Sequence, residues 1–422
     1  MPFLDAIRSR ISPHNPLLLM YHKLLAVAAA VFYGFPGGRI KVIAITGTKG
    51  KSTTTHLLAG ILQEAGFKVG VASTIHFQIG EEVWPNATKQ TTQGRFRLQR
   101  LLRAMVRARC DVAILEVTSH ALVQSRLWGV KVQTAVLTNI QRDHLEYHGG
   151  FQNYLHAKGR LFSQLARGTA VLPSEDANVA YFKAFPAHRK ILYGKGGALT
   201  ARHIEPHADG SRFTLAFAHE KVSIDFKMPG EFNIQNALAA AGAALSIGVK
   251  LSAIKKGLEK KIRIPGRLEA INAGQPFSVI VDYAHTAESL QKLLALYRGL
   301  TPGKLFLVFG ATGGGRDKSK RPEMGRVADR YADFIVVTDD DPYTEDRMAI
   351  INQVAEGIAR KEGEGLLLIR DRREAIRHAL TRAKAGDTVI IAGKGCEPIQ
   401  VIGTEKIPWD DRAVAREIIK NL

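Results

Sequence analysis

The segment Thr46-Gly47-Thr48-Lys49-Gly50-Lys51-Ser52-Thr53 gathers glycines, lysines and hydroxyls into one short stretch. An apolar run of strand type, Lys41–Thr46, leads into it, and a helical pattern over Gly50–Ala65 follows, with Gly66 as its stop. The chemistry this suits is phosphate binding. Glycines at 47 and 50 let the backbone wrap close to an anion, with Thr48 and Lys49 between them. The helix start points N–H groups at the anion. Lys51 neutralises terminal phosphates, and Ser52, with Thr53 beside it, is a hydroxyl ligand for Mg²⁺. Ile45 stands where G-x-x-x-x-G-K-[ST] has its first glycine, so the pattern is the tighter T-G-T-x-G-K-[ST]. A plain glycine-rich turn is the bland alternative. The junction, the lysine and the hydroxyl together favour a nucleotide.

A second set of reactive groups lies at the ends of expected strands. Glu116 closes Asp111–Val117 and precedes Thr118-Ser119-His120. Val132–Ile140 ends in Thr138-Asn139 and runs into Arg142-Asp143-His144-Leu145-Glu146-Tyr147-His148. In an open parallel sheet the carboxyl ends of strands form the ligand crevice. Glu116 and His144 are therefore expected to share a cleft with the phosphate loop and to bind metal there. A lone histidine is more often a satisfied local residue, but several strand ends converge here. The H-x-E-x-H run is not the pattern of a zinc protease.

The elements that must position these groups alternate strand and helix from residue 40, which predicts a mostly parallel sheet with helices on both faces. Ser211–Phe217 and Val222–Phe226 alternate instead, with a turn signal at Asp209-Gly210, so a small antiparallel excursion is expected within 190–228. Helices follow at about 233–247 and 252–260. Ile264-Pro265-Gly266 punctuates the chain. Strands at Phe277–Tyr283, Lys304–Gly310, Phe334–Thr338, Leu366–Arg370 and Thr388–Ala392, with helices such as Ala287–Arg298 and Arg373–Ala383, make a further open α/β domain. The fold class is α/β: an N-terminal helical segment (1–39), a phosphate-loop central domain with a mostly parallel sheet (40–264) and a Rossmann-like C-terminal domain (265–422). No internal repeat is visible.

Composition narrows the classes. The 422 residues suffice for two to four domains with real cores. Two cysteines, Cys110 and Cys396, give no disulfide framework and fit a reducing cytosol. A net charge of +20 suits anionic partners, but the basic residues are spread along the chain. Arg95, Arg97, Arg100, Arg103, Arg107 and Arg109 stud one helix beside an apolar stripe. A solvated face is the expected reading, and no nucleic-acid module accompanies it. Residues 16–36 are apolar but broken by His22 and Lys23, too short for a membrane span. A helix packed on the next domain is expected, with an interfacial membrane helix as the lesser alternative.

The motifs together resemble the ATP-dependent Mur ligase family, and within it the UDP-N-acetylmuramoyl-tripeptide synthetase branch. The resemblance rests on TGTKGKSTTT (46–55), EVTSHALVQSR (116–126), TNIQRDHLEYHG (138–149), AKGRLF (157–162), GEFNIQNALAA (230–240), PGRLE (265–269), VDYAHTAESL (281–290), GGRDKSKRPEMG (314–325), TDDDPYTE (338–345) and AGKGCE (392–397), in the family's order. It implies an ATP-dependent amide ligase of peptidoglycan precursor synthesis. A substrate carboxylate takes the γ-phosphate, and the amine of an amino acid displaces it.

By the same resemblance Lys51, Glu116, His144 and Lys158 carry the chemistry. Ser52, Glu116, His144 and a carbamylated Lys158 hold Mg²⁺, and Asn236, Arg267, Asp282 and His285 contact the nucleotide. Thr91, Thr92, Thr118, Gln124 and Arg126 match positions for a UDP-muramoyl-peptide. Arg316, Asp340, Asp341, Pro342, Tyr343, Gly393 and Glu397 match the amino-acid pocket. Relatives that add meso-diaminopimelate usually have Arg where Tyr343 stands, so a different amino acid, such as L-lysine or L-ornithine, is expected. Cys396 stands where histidine is common, with no base pattern to make it a nucleophile. About 40 residues precede the phosphate loop, where full-length relatives carry a uridine-cradling domain; that domain is expected to be lacking, which leaves the acceptor open. The other readings are a different ligase of the superfamily, such as a folylpolyglutamate-synthetase-like or other cell-wall peptide ligase, a nucleotide-binding partner subunit, or a membrane-associated scaffold. A cytoplasmic monomer is expected.

Overall fold

The computed structural model describes residue 12 and residues 14–207, 210–260 and 263–422. These divide into two compact units, residues 1–262 and 263–422.

The first unit is built on one sheet. Its strands are β1 (Lys41–Thr46), β2 (Val69–Ala72), β3 (His76–Ile79), β4 (Glu82–Pro85), β5 (Val112–Glu116), β6 (Val132–Leu137), β7 (Thr169–Pro173), β8 (Arg189–Tyr193), β9 (Leu199–His207), β10 (Gly210–Phe217) and β11 (Glu220–Phe226). Their spatial order is β11-β10-β9-β8-β7-β6-β1-β5-β2-β3-β4. The central strands β6, β1, β5 and β2 are parallel. They are nearly continuous runs of buried Val, Ile, Ala and Leu, as strands covered on both faces must be. Helices Lys51–Glu64 and Glu231–Ser246 pack together on one face, and Arg95–Arg107 supplies Leu98, Leu102 and Met105 to the core on the other.

Both outer wings are antiparallel. The expected excursion is present as β9, β10 and β11, although Asp209 of its turn signal lies outside the described residues. The opposite wing, β2-β3-β4, is not evident from the sequence pattern, because each strand has only four residues. Its connecting turn is fixed by Ser73, whose Oγ accepts from the N–H groups of Ile75 and His76.

The second unit holds a six-stranded sheet of β12 (Glu269–Ala270), β13 (Ser278–Asp282), β14 (Leu305–Phe309), β15 (Phe334–Val337), β16 (Leu366–Leu368) and β17 (Thr388–Ala392), ordered β12-β13-β17-β14-β15-β16. All pairs but β12–β13 are parallel, with an apolar core on each face. β16 stops short of the expected Arg370, because Asp371 turns the chain into helix Arg372–Leu380 by accepting from Glu374 N–H. A small hairpin, Ile399–Ile402 with Glu405–Pro408, completes the unit.

The helix Pro16–Phe32 is capped by Asn15, whose Oδ1 accepts from Leu17 and Leu18 N–H. It packs through Ala26, Ala29 and Ala30 and lies beside Arg95–Arg107. Among the described residues no helix is long and apolar enough to cross a membrane.

Candidate active site

The phosphate loop joins β1 to helix Lys51–Glu64. Gly47 has φ 146°, and a Cβ there would lie 1.9 Å from Thr138 Oγ1. Gly50 is the helix N-cap at φ 82°, and a Cβ there would lie 2.2 Å from Asn236 Oδ1. Only glycine fits either place. Gly50 brings no capping side chain, so the leading N–H groups of the helix suit an anion. The loop is clamped from the end of β6. Thr48 N–H donates to Asn139 O at 2.9 Å, Lys49 N–H to Asn139 Oδ1 at 3.0 Å, and Thr138 Oγ1 to Lys49 O at 2.6 Å. Lys51 Nζ bends over the loop and donates to Gly47 O and Thr48 O at 3.1 and 2.9 Å. Thr53 is buried on the same helix turn. The structure thus brings Gly47, Thr48, Lys49, Gly50, Lys51, Ser52 and Asn236 together.

Glu116, at the end of β5, meets the loop directly. Ser52 Oγ lies 3.0 and 3.1 Å from its two carboxylate oxygens. Thr74 donates to the same carboxylate through N–H at 2.8 Å and Oγ1 at 2.9 Å. A buried carboxylate and a serine hydroxyl form a hard-oxygen donor set, which fits Mg²⁺.

A polar shelf grows from the same strand end. Thr74 Oγ1 bonds Thr91 Oγ1 at 2.9 Å. Thr92 Oγ1 donates to Glu116 O at 3.0 Å and accepts from Thr118 N–H at 2.9 Å. Arg126 donates through Nη1 to Thr92 O at 2.6 Å, and through Nε and Nη2 to Gln124 Oε1 at 3.0 and 2.7 Å. Burial, with Arg95 adding repulsion, holds the Arg126 pKa below its ordinary value. Thr91, Thr92, Thr118, Gln124 and Arg126 therefore form one network continuous with Glu116.

His144 sits in the left-handed region at φ 53° and begins the short helix Leu145–His148. Its ring meets His120 edge-on at 4.9 Å. Its neighbour Asp143 pairs with Lys49 Nζ at 3.3 Å, which ties this segment to the loop. Lys158, on helix Phe151–Phe162, is 2% exposed and donates to Gly47 O at 2.8 Å, with Nζ 4.7 Å from the centre of the Tyr154 ring. Burial, and then the charge of Lys51, hold the Lys158 ammonium well below its usual pKa.

In the second unit, Asp340, Asp341, Pro342 and Tyr343 follow β15, and Gly393–Glu397 follow β17. Lys394 is completely buried, 2.8 Å from Asp341, 3.0 Å from Glu397 and 3.9 Å from Asp340. Burial pushes the Asp340 carboxyl up to about 6, against the pull of Lys394 and Arg372. The three acids are spaced to hold a cation, and the Lys394 ammonium supplies one. Gly393, at φ 114°, leaves room that a Cβ would take from Asp340 Oδ2, 2.6 Å away. Tyr343 has φ 51° and lays its ring on Gly314, while Arg316 is exposed on the same glycine-rich loop. Asp282 accepts from Leu268 and Ala284 N–H, Arg267 stacks 4.4 Å over Tyr283, and His285 Nδ1–H donates to Tyr283 O at 2.7 Å.

Thr74 and Lys394 were not singled out from the sequence. Lys394 lies inside the AGKGCE run and carries the signal of a lysine flanked by glycines. Thr74 has no local signal, because only the pairing of β2 with β5 sets it against Glu116.

A glycine cradle with a lysine, and a carboxylate joined to the first hydroxyl of the helix, define a phosphate-loop nucleotide-binding protein with a second α/β unit that carries its own acidic cluster. The chain matches the Mur ligase middle domain over residues 45–244 and the Mur ligase, glutamate ligase domain over 266–395. It is 40% identical over 407 residues to a UDP-N-acetylmuramoyl-L-alanyl-D-glutamate--2,6-diaminopimelate ligase of Geobacillus kaustophilus, covering 94% of this chain and 82% of the relative. It is 39% identical over 418 residues to a UDP-N-acetylmuramyl-tripeptide synthetase of Roseiflexus, with the same coverage. A solved structure of a UDP-N-acetylmuramoyl-L-alanyl-D-glutamate--2,6-diaminopimelate ligase superposes with a TM-score of 0.63 at 33% identity, covering 90% of this chain and 78% of that one. The folylpolyglutamate synthase of Mycobacterium tuberculosis, at 17% identity, TM-score 0.72 and coverage of 88% and 92%, shares the fold. The chain belongs to the Mur ligase family.

Proposed function

We propose that this ligase joins an amino acid to the free carboxylate of a UDP-N-acetylmuramoyl-dipeptide-like acceptor in peptidoglycan precursor synthesis, in the cytoplasm and as a monomer. The observation that carries the reading is the continuity of the Thr92–Gln124–Arg126 shelf with Glu116 and Ser52 at the phosphate loop. An acceptor held on that shelf has its carboxylate delivered to the terminal phosphate of ATP. Arg126, a half-buried guanidinium, suits the anionic part of such a substrate.

The chemistry has two steps. An acceptor carboxylate oxygen attacks the γ-phosphorus, ADP leaves, and an acyl phosphate forms. The amine of the amino acid then attacks the acyl carbon, phosphate departs, and the amine proton passes to solvent or a base. Two anions must approach in the first step, so positive charge at the loop is the main requirement. Lys51 supplies part of it. Ser52, Glu116 and His144 would hold Mg²⁺, which when bound neutralises phosphate charge. Lys158 is assigned as the carbamylated lysine. CO₂ adds to a neutral amine with loss of one proton, and the depressed pKa of the buried Nζ favours that form. The product is an anion, a fitting metal ligand where the lysine ammonium is not.

The second unit selects the amino acid. Arg316 is assigned to its carboxylate, and Asp340, Asp341 and Glu397, organised by Lys394, to its polar groups. Asn236 would meet the nucleotide at the phosphate loop, and Arg267, Asp282 and His285 are assigned as further nucleotide-contacting residues. Tyr343 carries no charge for the distal carboxylate of meso-diaminopimelate, so the preferred amino acid is a different one, although several relatives are named for that substrate. Mass spectrometry of products from UDP-N-acetylmuramoyl-L-alanyl-D-glutamate, ATP and an amino-acid mixture tests the reading. One added residue per ADP released is expected; no amino-acid adduct would refute it.

A further inference from the structure

The helix Pro16–Phe32 is apolar nearly all round, with His22 and Lys23 as its polar interruptions. A helix of that kind belongs inside a protein or in a membrane. Among the described residues only one side is covered. Ala26, Ala29 and Ala30 are buried, while Leu17 is 71% exposed, Leu24 61% and Phe32 69%. Leu17, Tyr21, Leu24 and Val31 recur at helical spacing, so the exposed residues form one stripe rather than scattered side chains.

The stripe continues onto a basic face. The Phe32 ring meets Phe96, centroids 6.4 Å apart. Phe96 starts a row on helix Arg95–Arg107 that continues through Arg100, Arg103 and Arg107 at helical spacing. Arg103 Nη1 reaches Tyr33 O, at the C-terminal end of the first helix, at 3.5 Å. Neither helix contains an aspartate or glutamate, and the whole chain carries a net +20.

We propose that this combined face docks onto the surface of an anionic lipid bilayer. An apolar stripe bordered by charge of one sign matches a headgroup layer of the opposite sign over an acyl boundary. A folded protein partner would offer mixed charge and a mostly uncharged contact centre. The helix lies in the plane of the surface, with Leu17, Leu24 and Phe32 entering the acyl boundary and Lys23 extending to the headgroups. Arg100, Arg103 and Arg107 meet lipid phosphate.

The test is flotation of the full chain with vesicles of phosphatidylcholine alone and with phosphatidylglycerol added, at low and high salt. Salt-sensitive binding to the phosphatidylglycerol vesicles is expected. L17S/L24S is expected to lower the partition about tenfold or more, and R100E/R107E to remove its salt-sensitive part, each with an unchanged thermal melt. Failure of the wild-type chain to float with anionic vesicles would overturn the proposal. So would a wild-type dimer, seen by light scattering, that L17S/L24S converts to monomer, since a second copy would then cover the stripe.

Discussion

Ser52 Oγ lies 3.0 and 3.1 Å from the two carboxylate oxygens of Glu116, which binds the first turn of the phosphate-loop helix to the end of the neighbouring strand β5. The contact sets a hydroxyl and a carboxylate at one point beside Lys51. It also fixes the strand end from which the Thr92–Arg126 shelf is built. Glu116→Gln keeps the shape and most hydrogen bonds but removes the charge. It is expected to lower kcat by about a hundredfold or more and to raise the Mg²⁺ concentration needed for half-maximal rate. Steady-state ADP release across a Mg²⁺ titration measures both.

Lys158→Arg keeps a long basic side chain at 158 but removes the amine that CO₂ needs. Activity is expected to fall by at least about a hundredfold, and the carbamate carbon signal expected for the wild-type chain in ¹³C-bicarbonate to be absent from the variant. A wild-type spectrum without that signal, or a fully active Lys158→Arg, would remove the carbamate from the account.

Tyr343→Arg places a planar cation on the loop that follows β15. Its kcat/KM for meso-diaminopimelate relative to L-lysine is expected to rise by about tenfold or more. A wild-type enzyme that already prefers meso-diaminopimelate in a competition assay would contradict the assignment of Tyr343.

Arg372 and Asp411 form a fully buried bidentate pair, both bonds 2.8 Å, joining helices Arg372–Leu380 and Asp411–Lys420. Asp411→Ala leaves the guanidinium buried without its acid and is expected to cost about 3–5 kcal/mol. The Arg372→Met/Asp411→Leu double variant is expected to recover much of that loss. Chemical denaturation of the single and double variants checks it.

His148 is completely buried, and its pKa is lowered from 6.5 to about 4, chiefly by burial and further by His14, His144, Lys158 and Arg160. His76 is lowered to about 3, by burial and by His56. The unfolded chain binds these protons near pH 6.5 and the folded chain does not. Their stability contribution is complete above that pH and is lost as pH falls, down to about 4 for His148 and about 3 for His76. For His148 the loss by pH 5 is on the order of 1 kcal/mol. His148→Gln is expected to narrow the stability difference between pH 7.5 and pH 5, measured by denaturation.

The phosphate loop was legible because its chemistry needs particular residue types in one contiguous stretch. Glu116 and Lys51 were legible for the same reason, as ends and starts of strongly patterned elements. Thr74 was not, because it lies in a tight turn between two four-residue strands, and its role exists only once β2 lies beside β5. Tyr154, whose hydroxyl lies 2.8 Å from Thr48 Oγ1, reads in sequence as an ordinary core aromatic. The acidic run 339–341 was visible, but not the burial of Lys394 among those acids, since charge pairing across loops leaves no local period. The exposed apolar side of Pro16–Phe32 was also hidden, because a helix apolar on every side does not show which side is covered.

The proposed chemistry requires that an acceptor carboxylate be phosphorylated before the amine attacks. The most direct measurement uses UDP-N-acetylmuramoyl-L-alanyl-D-glutamate labelled with ¹⁸O in the reacting carboxyl group, with ATP, Mg²⁺ and the preferred amino acid. One ¹⁸O is expected in the phosphate released for each amide formed, with ADP as the other product. Unlabelled phosphate, or AMP with pyrophosphate, would contradict it.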